Sequence, residues 1–593
     1  MPLSYKAPLR DIRFLTNEVF NYTEHYKTLK CGQNADPETV DMMLDSIADY
    51  CSNVLMPLYQ SGDAEGCHFD NGTVTTPKGF KEAYDTFVEA GYQAIPYPEE
   101  FGGLNMPMSV NLIKSEMMGT ANWAFTMYPG LSVGCMNTIM QYGTAAQKAT
   151  YMPALIEARW SGTMCLTEPH AGTDLGIIKT KAVPNDDGSY NITGTKIFIT
   201  AGEHDLADNI IHLVLAKTPN APAGSKGISL FVVPKFLVNE DGSLGERNAV
   251  QAGSIEHKMG IKASATCVMN FDAAKGWMIG AENTGLASMF IMMNYERLTM
   301  GLQGIGGAEL AYQNAVAYTV DRVQGRSDTA IISPEKPADA IIHHADVRRM
   351  LLNAKVIAEA SRCFAMYVAK QLDTSKYSDD ADAQKRANDR VALLTPVSKA
   401  FLTDRGLEAS IDAQQCFGGH GYIREWGMEQ IVRDTRIAQI YEGTNGIQAL
   451  DLLGRKVAKN GGASLQSYLA EMRDFANKMQ ANHPIKQAIL DSADKLDDLT
   501  KTVLGNIADI KEEINGCAVD YLQAVGYVSY AYMFGMMVEA ANGKEGEFYA
   551  NKAKLADYYI GRMLPRLDAH IAMVKATSKP IMALDLAFFE STL

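Results

Sequence analysis

The residue whose setting most invites chemistry is Glu442, in the stretch IYEGTNGIQ that runs from Ile440 to Gln448. A structural carboxylate usually sits on a wet helix face. This one stands beside apolar residues and is followed by Gly443 and Gly446. A carboxylate stripped of water has a raised pKa and becomes a stronger base. The glycines let backbone pass close to something planar and polar. Two further stretches offer polar backbone. CLTEPHAGTD, Cys165 to Asp174, packs two threonines, a proline and a glycine ahead of a hairpin signal. Such a turn presents amides and hydroxyls to a heterocycle or a phosphate, and a capped turn is its ordinary role. QCFGGHGY, Gln415 to Tyr422, is a second glycine-rich turn. Two other motifs read as structure. GIGG at 304–307 lacks the preceding strand that a dinucleotide fingerprint needs, so its small residues predict close helix packing. HHAD at 343–346 has no companion cluster to complete a metal set and predicts a helix start.

The elements that must position these residues change character along the chain. From about 35 to 155 apolar residues recur at three and four, a helical pattern, interrupted by the Pro/Gly loop IPYPEEFGGLNMP. From about 157 to 280 the pattern is β. Asp187-Gly188 lies between alternating runs and predicts a hairpin. IIHLVLAKT and GISLFVVPKF are continuous β-type runs, and ATCVMNFDAA predicts a short strand. Helical periodicity resumes near Gly285 in two long helices separated by a loop with Pro334 and Pro337. KNGGAS at 459–464 reads as a linker, and further amphipathic helices follow. The expected domains are 1–156, 157–280, 281–458 and 465–593.

Bulk properties narrow the function class. The 593 residues carry a net charge of -15, which argues against a nucleic-acid binder. Hydrophobic residues make up 47%, enough for a large core. Nine cysteines without a CxxC pair read as reduced thiols of a cytoplasmic protein. The N-terminus lacks a secretory core. The uncharged run Tyr521 to Val538 reads as a helix buried against other helices, with membrane contact as the minority reading.

Taken together, PEEFGG, CLTEPHAGTDLG, GTKIFITAG, HKMGIKAS, DRVQG, QCFGGHGY and IYEGTNGIQ stand in the order and spacing of one family. Over roughly residues 80 to 455 the chain resembles the acyl-CoA dehydrogenases. The length, the N-terminal extension and the extra C-terminal helices resemble a long bacterial subgroup. The resemblance implies a mainly α fold with a central β domain. An N-terminal helical domain, a β-barrel and a C-terminal four-helix bundle would be followed by an extra helical domain.

It also implies FAD. By motif match, Met164, Leu166, Thr167 and Thr173 line the flavin, and Thr173 also lies at the start of the CoA arm. Phe198 and Thr200 pack against the ring, where a hydroxyl can tune its electronics. Arg322 matches an arginine that reaches the FAD of a neighbouring subunit, which implies a homodimer or larger. Gln415, Cys416, Phe417, Gly418 and Gly419 match the adenosine side, and Thr444, Asn445 and Gly446 the pyrophosphate. Asn294, Arg297 and Gly443 match substrate contacts.

The implied reaction removes a proton from the carbon beside a thioester carbonyl while the flavin accepts a hydride from the next carbon, giving a trans-2-enoyl-CoA. The carbonyl's developing charge is held by hydrogen bonds. Glu442 matches the base. Some relatives carry it where Glu296 stands, in NYERL, so Glu296 is the runner-up; its ordinary reading is a helix carboxylate paired with a cation. Electrons would pass to an electron-transfer flavoprotein in fatty acid β-oxidation, with medium or long chains preferred. The alternatives are 3-methylmercaptopropionyl-CoA as substrate, an acyl-CoA oxidase, and a flavin-bearing scaffold without turnover. The stretch NWAFTMYPGL, 122–131, is either core or part of an acyl pocket.

Overall fold

The computed structural model describes residues 3–591. Its contacts divide the chain into two compact units. One holds Ser4–Ala7 and Asn34–Thr299; the other holds Leu3, Pro8–Gln33 and the chain from Met300 onward.

The first unit begins with helices and ends with a sheet. Helices Pro37–Tyr50 and Phe80–Glu89 precede α1, Met108–Ala121, and α2, Trp123–Tyr142. Asn122 caps α2, its side chain accepting from the Phe125 N–H at 3.1 Å, the usual way to satisfy an orphan donor. Phe125 then meets the rings of Tyr50, Phe80, Tyr84 and Phe87. The stretch 122–131 is therefore mainly core: its residues are buried except for Gly130, which is half-buried.

The sheet has seven strands: β1 Trp160–Cys165, β2 Lys181–Pro184, β3 Tyr190–Thr200, β4 Asn209–Ala216, β5 Ser229–Pro234, β6 Val250–Ile255 and β7 Thr266–Ile279. Their order is β1-β4-β5-β7-β3-β2, with β6 also on β7. Within that order β1 and β4 run parallel, and the other neighbouring strands are antiparallel. The Asp187-Gly188 hairpin forms as its sequence predicts, with Pro184 opposite Tyr190 and Gly188 at φ +80°. Strand β7 is longer than the short strand expected. Bulges at Cys267/Met269 and Phe271/Ala274 let it bend, so it pairs first with β3 and β6 and then with β5. Edge strand β2 returns to Lys217, just past β4: the Ala182 N–H donates to Lys217 O at 2.9 Å and the Lys217 N–H to Thr180 O at 3.0 Å. The sheet thus curls into a barrel, whose strands β4 and β5 are buried along their whole length.

Helix α3, Gly285–Asp321, leads out of this unit into the next. There α4, Ala345–Tyr377, and α5, Ala381–Cys416, are the two long helices. His344 stands at the N-cap of α4, the helix start expected for HHAD. The GIGG reading also holds. A Cβ on Gly304 would lie 2.3 Å from Leu402 O, and one on Gly406 2.3 Å from Gly304 O. The backbones of α3 and α5 touch there, and only glycine fits. The loop with Pro334 and Pro337 is organised by the buried Asp339, which accepts from the N–H groups of Ser327, Ile332 and Ser333 at 2.8–3.1 Å. Those donors hold its carboxyl down at about 2.

After α5 come the short helix α6, Asn445–Leu450, and the C-terminal helices. The expected linker at 459–464 is a tight turn, with Gly461 at φ +62° and Gly462 at φ +86°, closing directly onto helix Ala463–Lys478. The run Tyr521 to Val538 lies in α7, Glu513–Ala541, and is buried at all but one position. Among the described residues no helix is long and apolar enough to cross a membrane.

Candidate active site

The residues singled out from the sequence fall in both units, and each group has its own frame. In the barrel, Met164 is half-buried on β1, Leu166 is buried, Thr167 is half-buried and Thr173 is exposed. The turn that carries them is fixed by Glu168. Its buried carboxylate accepts from Lys196 Nζ at 2.9 Å, from Thr180 N and Oγ1 at 3.0 and 2.6 Å, and from Lys179 N at 2.6 Å. Burial alone raises a carboxyl's pKa; the Lys196 charge and these donors outweigh it and hold Glu168 below its ordinary value. Lys196 also donates to Leu166 O at 3.0 Å, and Thr167 O accepts from the Ile197 N–H at 2.9 Å. The turn is thereby locked to β3.

On β3, Phe198 stands out. Its backbone is left-handed, φ +59°, and the residue is 60% exposed. A bulky residue in that region is a strained one. Thr200 is half-buried two residues on, next to Ala201, itself at φ +54°.

The first turns of α3 carry the second group. Glu296 is 2% exposed, and its Oε2 accepts from Thr299 Oγ1 at 3.3 Å. A Cβ on Gly134 of α2 would come within 2.7 Å of Glu296 Oε1. Arg297 is buried and donates through Nη1 to the exposed Asn294 at 3.3 Å. So Glu296 is a packed helix carboxylate under the neighbouring backbone.

In the other unit, Tyr318 near the end of α3 stacks on Phe417 with ring centroids 4.1 Å apart, and its hydroxyl meets His420 Nδ1 at 2.9 Å. His420 stacks in turn on Trp426 at 4.5 Å. This cluster turns Gly418, at φ +55°, and Gly419 outward, both exposed, with exposed Gln415 before them. Phe417 and Cys416 point inward instead. The Cys416 thiol donates to Asp412 O at 3.4 Å, and burial pushes it up to about 12. What these two positions can offer a ligand is backbone. Arg322 is exposed and has no ion pair among the described residues.

Glu442 is half-buried and sits in left-handed backbone, φ +56°, followed by Gly443 at φ +84°. The expectation of a dry carboxylate is thus met by only half: apolar Ile440 beside it is 47% exposed. Exposed Thr444 and Gly446 lie in the next turn. Asn445 is a brace. Its Nδ2 donates to Asp404 Oδ1 at 2.7 Å and to Thr403 Oγ1 at 3.0 Å, and its Oδ1 accepts from the buried Lys399 Nζ at 2.8 Å.

Other braces are missing from the sequence reading. Buried Gln448 donates to Glu442 O at 3.2 Å and Gly443 O at 3.4 Å. Tyr441 donates to Gln303 Oε1 at 2.5 Å, and Gln303 to Asp434 O at 2.8 Å. Gln439 donates to Asp404 Oδ1 at 2.7 Å. Tyr441 and Gln448 stand inside IYEGTNGIQ itself, whereas Gln303 and Asp404 lie far away on α3 and α5 and leave no local signal.

The comparisons with known proteins agree with this anatomy. Family models for the N-terminal, middle and C-terminal domains of acyl-CoA dehydrogenases match residues 37–159, 163–274 and 283–457, and one described as acetyl-CoA dehydrogenase C-terminal like matches 468–585. The chain is 38% identical to a 3-methylmercaptopropionyl-CoA dehydrogenase of Ruegeria pomeroyi, over 98% of the chain and 100% of that protein. It is 33% identical to the broad-specificity linear acyl-CoA dehydrogenase FadE5 of Mycobacterium tuberculosis, over 99% and 100%. In fold it is similar to an acyl-CoA dehydrogenase of Bacillus anthracis solved with FAD, with a TM-score of 0.74 at 22% identity over 91% of the chain and 89% of that one. The end-to-end match with full-length relatives establishes that this chain belongs to the acyl-CoA dehydrogenase family.

Proposed function

We propose that the chain is an FAD-dependent dehydrogenase of linear acyl-CoA thioesters, with Glu442 as the base that removes the proton beside the thioester carbonyl. The observation that carries this reading is the state of Glu442. It is half-open on a loop in left-handed backbone, braced by Asn445 and Gln448, in a chain that matches acyl-CoA dehydrogenases over its whole length. Glu296, by contrast, is packed away at 2% exposure. A base must be reached by its substrate.

The residues present fit FAD. Phe198 offers an open aromatic face and Thr200 a hydroxyl. The outward Gly418–Gly419 turn and the exposed Thr444 and Gly446 offer backbone and a hydroxyl to polar groups, and Arg322 offers an exposed fork for a pyrophosphate. When bound, FAD supplies the hydride acceptor. The chain's own residues orient it, hold the thioester and take the proton at a Glu442 carboxylate oxygen. Substrate approach completes the desolvation that the loop leaves half-done, and so strengthens the base. Electron-transfer flavoprotein as acceptor, a homodimer in which Arg322 serves the neighbouring subunit, and a cytoplasmic role in β-oxidation complete the proposal.

A second reading of the substrate has its own support in the full-length match to the Ruegeria pomeroyi enzyme. A 3-methylmercaptopropionyl chain is isosteric with pentanoyl, so the two readings differ by one sulfur rather than by architecture. The test is anaerobic addition of butyryl-, octanoyl-, palmitoyl- and 3-methylmercaptopropionyl-CoA to the yellow protein. Bleaching of the visible flavin band by a linear acyl-CoA supports the proposal, and the fastest substrate chooses between the readings. A colourless protein, or a yellow one that none of the four bleaches, overturns it; rapid peroxide formation in air without added acceptor replaces the dehydrogenase by an oxidase.

A further inference from the structure

The helices after Gly462 contribute one side chain to the frame of the Glu442 loop. Gln523 on α7 is 5% exposed, and its Nε2 donates to Asp404 Oδ2 at 2.6 Å. The other oxygen of that carboxylate, Oδ1, accepts from Gln439 Nε2 and Asn445 Nδ2, both at 2.7 Å. Gln439 ends the turn before the loop and Asn445 begins the helix after it. One carboxylate therefore gathers three amide donors, two from the ends of the segment that bears Glu442 and one from the C-terminal helices. Donors to an ionised acceptor make the stronger class of hydrogen bond. The loop needs such pins. With Glu442 at φ +56° and Gly443 at φ +84° it belongs to no helix or ladder, so side chains set where the carboxylate stands.

We propose that Asp404 and Gln523 are positioning residues, through which the C-terminal helical segment fixes the Glu442 loop. The proposal rests on the reading of Glu442 as the base. It gives the segment a role in the reaction: a base displaced by about 1 Å from the proton it removes loses rate on the order of 100-fold.

The pair can be tested by exchanging its charges in the FAD-loaded protein. Gln523→Glu sets two carboxylates face to face. The expected result is retained FAD, flavin reduction slowed roughly 10- to 100-fold at pH 8, and a defect that shrinks toward pH 6 as a shared proton restores the contact. Backbone amides of 437–448 should exchange roughly tenfold faster, since their local opening becomes easier. Adding Asp404→Asn to Gln523→Glu restores a donor facing an acceptor and leaves Oδ1 for Gln439 and Asn445. This double variant should return to within about threefold of the parent rate, the residue expected of a coupled pair. Gln523→Met keeps the shape and removes the donor, and should slow reduction at every pH without the pH-dependent recovery.

The proposal is overturned if Gln523→Glu and Gln523→Met keep parental rates and parental exchange, or if the double variant folds yet recovers nothing. Should Gln523→Glu fail to fold, the double variant and Gln523→Met decide by the same criteria. A Glu442→Gln control separates the two claims: if it still reduces flavin, the base assignment fails, and the exchange of 437–448 alone judges the clamp.

Discussion

At the scale of single residues, two of the twelve non-glycine residues with positive φ among the described residues fall at positions assigned to the site. Phe198 and Glu442 both hold positive φ, and both are more open than their neighbours Ile199 and Gln448. Strain of this kind costs about 1–2 kcal/mol per residue and persists only where the surroundings impose it. Phe198→Gly removes the strain together with the ring of a mostly exposed residue. The apoprotein's unfolding free energy from a urea titration should therefore change by no more than about 1 kcal/mol, while FAD binds roughly tenfold more weakly for want of an aromatic face. Loss of the fold, or unchanged FAD affinity in a flavin titration, contradicts the role given to that ring. Residue types at these positions were legible from the motifs. Their conformations were not, because a left-handed phenylalanine or glutamate has no signature in local sequence. Nor could sequence foresee that Asn445 spends its amide on Asp404 and Thr403, since those partners lie on another helix.

At the scale of elements, periodicity carried most of the fold. The hairpin at Asp187-Gly188, the buried runs of β4 and β5 and the long helices all follow from local pattern. Strand β7 shows where local pattern stops: its length depends on bulges that let one strand serve three partners, a decision made by the sheet. The touching backbones of α3 and α5 are the opposite case, announced by GIGG. Gly304→Ala would force a methyl group to 2.3 Å from Leu402 O. Backbone cannot yield there as a side chain can, so the substitution should destabilise by about 1–3 kcal/mol or more. Thermal unfolding is the measurement; an unchanged melting temperature would show that the helices have room to part.

At the scale of the whole molecule, acid sensitivity should arise in the barrel. His204 and His212 are buried, and burial, aided by the Lys235 charge, pushes both down to about 3 from an ordinary 6.5. His204 Nδ1 accepts from the Leu206 N–H at 3.1 Å, so a second proton on the ring would cost that bond. The unfolded chain takes up these protons below pH 6.5 and the folded chain does not. Their contribution to stability is complete above that pH, falls as pH is lowered, and is lost by about 3. Each histidine should cost about 2 kcal/mol by pH 5. Urea unfolding at pH 7.5 and 5 measures this, and His212→Asn should flatten the dependence; equal slopes would place the acid sensitivity elsewhere.

The central claim is that Glu442 removes the proton. Its most direct test is the rate of anaerobic flavin reduction by a good acyl-CoA in Glu442→Gln and in Glu296→Gln, each checked for bound FAD. Glu442→Gln should keep its flavin and lose reduction by a factor on the order of 1,000 or more, whereas Glu296→Gln should retain most of it. The reverse outcome, a dead Glu296→Gln beside an active Glu442→Gln, would contradict the account.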